Sequence, residues 1–109
     1  MQLEVNNIFR ELPVTLREEF LQTLAESGFV RVERIVSDGH ASPPGEWYDQ
    51  KQDEWVLLVS GEATLLFEKN ATLLTMLPGD HVMIPAGFRH RVERTDMTQK
   101  TVWLAVHFK

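Results

Sequence analysis

The chain contains no cysteine among its 109 residues. This absence excludes disulfide bonds, thiolate zinc sites, iron–sulfur ligation and cysteine nucleophiles. Any metal or acid–base chemistry must therefore rely on His, Asp, Glu and neutral polar side chains. The length leaves room for one domain and excludes a separate cofactor-binding module.

Long apolar segments are also absent. The longest uninterrupted apolar runs, 55–59 and 102–106, have five residues each, whereas a membrane-spanning helix needs about 20. The N-terminus has no basic start followed by an apolar stretch, so we expect no signal peptide and a cytoplasmic location.

Positive charge is scarce. Eleven Lys and Arg stand against sixteen Asp and Glu, which gives a formal net charge of −5. Nucleic-acid affinity depends on neutralising phosphates, so this balance argues against a nucleic-acid partner and equally against an anionic membrane surface. We expect the partner to be a small molecule.

The first predicted element is an amphipathic α-helix over residues 15–27. Thr15 and Glu18 have the spacing of a capping box, and Gly28 is placed to end the helix. One face would carry apolar residues at helical spacing, namely Leu16, Phe20, Leu21 and Leu24.

After Gly28 the pattern changes to short β-branched or aromatic segments separated by turn residues. This alternation predicts an all-β sandwich or barrel. The predicted strands are 30–36, 55–59, 63–67, 72–77, 82–85, 90–94 and 101–108.

Two stretches have a specific spacing. In PGDHVMIPAGFRHRVER, Gly79 is followed by Pro85, Gly87 and His90, and in DEWVLLVSG, Glu54 precedes Gly61 by seven positions. These spacings resemble the second cupin signature and the second half of the first. The WYDQ, DEWVLL and WLAVH segments resemble a group of small cupins of unassigned function.

The resemblance implies an antiparallel jelly-roll β-barrel. We expect residues 29–109 to form the barrel, and residues 1–28 to form a strand and helix extension of the same domain. Because related barrels commonly pair through N-terminal strands, we also expect a homodimer.

The candidate site comes from alternation as well as from the resemblance. Tyr48, Gln50 and Glu54 share parity in an extended segment, so they can face the same interior, and His90 is delivered beside a rigid turn. A carboxylate and an imidazole that converge inside a barrel suit either metal ligation or acid–base work. We predict ligand binding by Tyr48, Gln50, Glu54 and His90.

The resemblance implies four metal ligands, but Tyr48 and Gln50 occupy the two early histidine positions. Of the four ligand positions that the resemblance implies, only those of Glu54 and His90 carry the expected residue type. A further histidine would complete a set for iron, manganese, nickel or zinc. His40, before the ASPPG loop, and His107, on the last strand, are the candidates, and we predict the metal set Glu54, His90, Gln50 and His40.

Two functions follow from these observations. The first is a small cupin that binds a divalent metal, a small polar ligand or both inside the barrel. The alternative is a metal-free binding or regulatory module without catalysis. The fold alone names no reaction.

Overall fold

The computed structural model describes residues 2–14 and 16–109. These described residues form eight strands: β1 (Phe20–Ser27), β2 (Val30–Ser37), β3 (Asp53–Ser60), β4 (Ala63–Phe67), β5 (Thr72–Met76), β6 (His81–Ile84), β7 (His90–Thr95) and β8 (Thr101–Phe108). The seven strands predicted after Gly28 are confirmed within one to two residues at most ends. A single 3₁₀ turn, Lys69–Ala71, joins β4 to β5.

The strands form two antiparallel sheets. The larger sheet has the order β1-β2-β8-β3-β6, and the smaller has the order β5-β4-β7. β2 and β3 are consecutive in the chain but do not pair, because β8 lies between them and pairs with both. The sheets face each other as a jelly roll, but the predicted barrel is not closed.

Alternation along the strands builds the core. On β3 and β8, every second residue points between the sheets, so Val56, Leu58, Trp103 and Ala105 are buried. Leu65 and Val92 close the core from the smaller sheet, where they lie opposite each other on β4 and β7. These side chains form the apolar core between the two sheets.

The predicted N-terminal α-helix is wrong. No α-helix occurs in residues 2–14 or 16–109; residues 20–27 form β1, which pairs with β2. The pairing is interrupted between Thr23 and Ala25, so Leu24 is an extra residue in the strand. A bulge of this kind breaks the period of two and makes a strand imitate helical spacing.

Gly28, which the sequence analysis takes as the end of the predicted helix, is an ambiguous signal as well. Gly28 has φ of +55° and lies with Phe29 in the two-residue turn between β1 and β2. A glycine with positive φ suits the first position of a hairpin turn as well as it suits a helix C-terminus. The proposed cap at Thr15 lies outside the described residues.

The segment before β1 packs on the outer face of the larger sheet. Arg34 on β2 is buried there, and its guanidinium donates to the main-chain oxygens of Ile8, at 3.1 Å, and Arg10, at 2.7 Å. No helix in the described part of the chain has the length and apolar character needed to cross a membrane.

Candidate functional site

A cavity of about 300 Å³ lies between the two sheets and borders the apolar core. One part of its wall is apolar and is formed by Ile35, Val56, Leu65, Ile84, Val92 and Trp103. The other part is polar and includes Tyr48, Gln50, Glu54, His90, Glu33 and His107. An apolar pocket with a few convergent polar groups is typical of a small-molecule site.

Glu54 lies at the centre of the polar wall. The register of β3 places it opposite His107 on β8 and Ile84 on β6. Its side chain is only 7% exposed. The Gln50 amide nitrogen donates to Glu54 Oε1 at 2.8 Å, so these two side chains contact each other in the cavity wall.

His90 is held firmly at the start of β7. Its main chain exchanges two hydrogen bonds with Tyr48, at 2.7 and 3.1 Å. The imidazole Nδ1 lies 3.0 Å from the Phe88 carbonyl oxygen, which accepts a hydrogen bond and therefore places the proton of the neutral ring on Nδ1. In this neutral tautomer Nε2 is the acceptor, and it lies 3.7 Å from Glu54 Oε1.

Tyr48 lies at the edge of the cavity and its ring contacts the His90 ring at a centroid distance of 5.5 Å. Its hydroxyl donates to Glu19 at 3.4 Å. Partial burial and the neighbouring Glu19 carboxylate raise the pKa of Tyr48 to about 12. The phenol stays protonated at neutral pH and cannot act as an anionic ligand.

Sequence reasoning missed Glu33 and left His107 as one of two alternatives. His107 Nε2 lies 2.8 Å from Glu33 Oε1 and 3.8 Å from Glu54 Oε2. Glu33 also has Arg31 as a neighbour, at 3.5 Å. Alternation along β2 contained the signal, because Val32 and Val36 face outward and thereby turn Arg31 and Glu33 inward.

His40 is not brought to this site. Its Nδ1 accepts a hydrogen bond from the Asp38 amide at 2.9 Å, and its carbonyl oxygen accepts one from Thr95. The residue lines a separate surface depression together with Trp47. Of the metal set expected from the sequence, the structure therefore assembles Glu54, His90 and Gln50 but not His40.

The residues present do not fit the metal that the resemblance implies. Among residues 2–14 and 16–109, no three His, Cys, Asp or Glu side chains are arranged to hold a metal ion. Tyr48 is a protonated phenol and the Gln50 amide nitrogen is directed at Glu54. His107 is hydrogen-bonded to Glu33 instead of being directed at a shared centre.

Structures of known proteins share this fold. A protein from Ralstonia eutropha, described as a "putative mannose-6-phosphate isomerase", is 47% identical, with a TM-score of 0.93 over 98% of this chain and 99% of that one. A cupin superfamily protein from Desulfitobacterium hafniense is 21% identical, with a TM-score of 0.70 over 97% of this chain and 98% of that one. A cupin-2 domain protein from Shewanella frigidimarina is 14% identical, with a TM-score of 0.65 over 88% and 86% of the two chains.

The two facing sheets and the inward carboxylate and imidazole define the class as a small cupin. The chain belongs to the same cupin family as the Ralstonia eutropha protein, to which it is similar along almost its whole length. No protein-family model and no curated protein sequence matches the chain.

Proposed function

We propose that this protein binds a small polar organic molecule in the cavity between its sheets. The observation that carries the proposal is the cavity itself, which combines an apolar wall with the buried polar groups of Glu54, His90 and His107. Its volume of about 300 Å³ is at the lower end of ordinary ligand sites, which suits a monosaccharide-sized molecule better than a nucleotide.

The polar groups have separate roles in this proposal. Glu54 and His90 present acceptors to the ligand, and Gln50 and Tyr48, in the same wall, orient these two residues. Glu54 is oriented by the Gln50 amide, and His90 is fixed by its hydrogen bond to Phe88 and by the main chain of Tyr48. Such preorganisation reduces the ordering cost of binding.

The name of the Ralstonia eutropha protein makes mannose 6-phosphate a ligand to test. The cavity provides one guanidinium, Arg31, which is already 3.5 Å from Glu33, and it presents three carboxylates, Glu19, Glu33 and Glu54. Phosphate recognition ordinarily needs several cationic or main-chain donors. The charge of the wall therefore supports a ligand without a phosphate group, and the cavity is proposed as a binding site with no reaction assigned.

Nuclear magnetic resonance titration of ¹⁵N-labelled protein tests the proposal. The probes are the matched sugars D-mannose, D-mannosamine and mannose 6-phosphate, together with the linear pair aminobutanol and butanediol. We expect at least one probe to shift amide signals of β3, β7 and β8 around the cavity. Absence of shifts with every probe, or shifts confined to the outer surface, would contradict the proposal.

Metal content is checked in parallel. Elemental analysis of untagged protein grown with added iron, manganese, nickel and zinc is expected to give less than stoichiometric metal. Stoichiometric metal that is lost in Glu54→Ala would favour the alternative in which a metal ion occupies the cavity.

A further inference from the structure

Glu54 is a buried carboxylate without a strong cationic partner. Its contacts are the Gln50 amide at 2.8 Å and the imidazoles of His90 and His107 at 3.7 and 3.8 Å. No Lys or Arg of the described residues forms an ion pair with it. A carboxylate removed from water in this way is unfavourable unless a positive charge or several donors compensate it.

The other two cavity carboxylates differ in this respect. Glu33 lies beside Arg31 and His107, and Glu19 accepts hydrogen bonds from Ser37, at 2.5 Å, and Tyr48. Only Glu54 combines near-complete burial with the lack of an Arg or Lys neighbour among residues 2–14 and 16–109. Of the three cavity carboxylates, Glu54 is therefore the one that still requires a compensating positive charge.

His90 supplies the second, independent observation. Its side chain is only 7% exposed, and its Nδ1 is committed to Phe88. Its Nε2 lies at 3.7 Å from Glu54 Oε1, too far for a hydrogen bond. In the tautomer that donates from Nδ1 to Phe88, Nε2 carries no proton, so two acceptors face each other in the cavity wall and neither supplies a donor to the other.

A primary ammonium group satisfies both acceptors together. It carries a positive charge and three hydrogen-bond donors, and its nitrogen can lie at about 2.8 Å from two atoms that are 3.7 Å apart. A hydroxyl donates only once and brings no charge. A phosphate would place further negative charge beside Glu54.

We propose that the ligand of this cavity is a small organic cation whose primary ammonium group lies between Glu54 Oε1 and His90 Nε2. This inference rests on the proposed binding function and specifies its ligand class. The ammonium occupies the place where a cupin with more histidines would hold a metal ion. Tyr48 and Gln50, which stand at the early histidine positions, are suited to this role because they position the two acceptors without coordinating a metal.

Isothermal titration calorimetry and the same labelled protein test the ligand class. D-mannosamine is compared with D-mannose, and aminobutanol with butanediol, because each pair differs in one ammonium-for-hydroxyl exchange. We expect each amine to bind at least tenfold more tightly than its partner, and mannose 6-phosphate to bind more weakly than mannosamine.

Two variants test whether the preference for amines depends on the Glu54 carboxylate. Glu54→Gln keeps the shape of the side chain and removes its charge, so the amine advantage should fall at least tenfold while binding of the neutral partner changes little. Glu62→Gln is the matched control, because Glu62 is a partly exposed carboxylate that does not line the cavity and is paired with Arg94 at 2.9 Å. It should leave both affinities unchanged.

The outcomes separate the two proposals. Equal affinities within both pairs, tighter binding of mannose 6-phosphate, or an amine preference that survives in Glu54→Gln would each overturn the ammonium assignment while leaving a binding cavity. If no probe binds in the cavity, the proposed function fails and the ammonium assignment fails with it. Amide spectra of both variants establish that the fold is retained.

Discussion

Tyr48 is the only tyrosine of the chain, and its phenol is a direct probe of the cavity edge. Partial burial, and after it the Glu19 carboxylate, raise its pKa to about 12 from the ordinary 10. In the folded state the proton is held more tightly than in the unfolded state. The stability linked to this group is therefore complete below about pH 10 and is lost as the pH rises towards 12.

We predict that the near-ultraviolet absorbance of tyrosinate appears in the native protein only near pH 12. Glu19→Gln should lower this midpoint without returning it to 10, because burial, the larger cause, remains. Glu26→Gln removes an exposed carboxylate of β1 that does not contribute to this shift, and it serves as control. A native midpoint close to 10 would show that the phenol is freely solvated.

At the scale of single residues, sequence spacing located Glu54 and His90 and placed Gln50 and Tyr48 beside them. It did not identify Glu33 as a member of the site, because an acidic residue that follows Val32 and precedes Arg34 on a strand is ordinarily interpreted as solvent-facing. The metal set predicted from the sequence included His40 and not His107, but the sequence holds no basis for a choice between the two. That choice depends on which strand neighbours β3, and that neighbour, β8, is distant in the chain.

Among the elements, the connection from β3 to β4 has the narrowest steric tolerance. Gly61 has φ of +84°, and a Cβ at this position would lie 2.7 Å from Thr101 Cα at the start of β8. Gly45 has a nearly identical φ of +81° but open space around it. An alanine would therefore be strained by the positive φ at both positions, but it would clash with a neighbouring strand only at Gly61.

We predict that Gly61→Ala destabilises the protein clearly more than Gly45→Ala. Positive φ costs about 1 kcal/mol at each position, and the clash with β8 adds about 1–3 kcal/mol at Gly61 only. Chemical denaturation of the two variants measures the difference. Equal free energies of unfolding would mean that β8 moves away from the turn without cost.

The strands were predictable because their residues alternate and their turns carry Gly, Pro, Asn or Asp. β1 was not, since the bulge at Leu24 removes the alternation in the middle of the strand. Its partner β2 determines the conformation through hydrogen bonds that no local pattern reveals. This is a case in which pairing overrides local preference.

For the whole molecule, the expected homodimer stays a prediction with a defined surface. β1 lies at the edge of the larger sheet, and nearly all its residues are exposed. Leu21, Leu24, Phe29 and Val30 are exposed on this hairpin at 54%, 46%, 69% and 43%. An exposed apolar edge strand is a natural surface for pairing with a second copy.

We predict a mass of twice 12.6 kDa by light scattering at micromolar concentration. Leu24→Lys should shift the protein towards the monomer, because a charge on an edge strand opposes strand pairing. Leu73→Lys, on the exposed part of β5, is the matched control and should leave the mass unchanged. A monomeric mass for the wild-type protein at these concentrations would contradict the predicted homodimer.

The central place of β8 constrains how the chain acquires its fold during synthesis. β2 and β3 leave the ribosome well before β8, the strand that pairs with both of them. Until β8 emerges, the main-chain groups of β2 and β3 that pair with it have no hydrogen-bond partners in the sheet. The β4–β5 hairpin and the β1–β2 hairpin can form early from local contacts, whereas the larger sheet is completed only when residues 101–108 emerge. Closing such distant pairings is slow compared with forming hairpins. The nascent chain therefore passes through a stage in which Val36 and Leu58, both fully buried in the finished protein, are open to other chains and to chaperones.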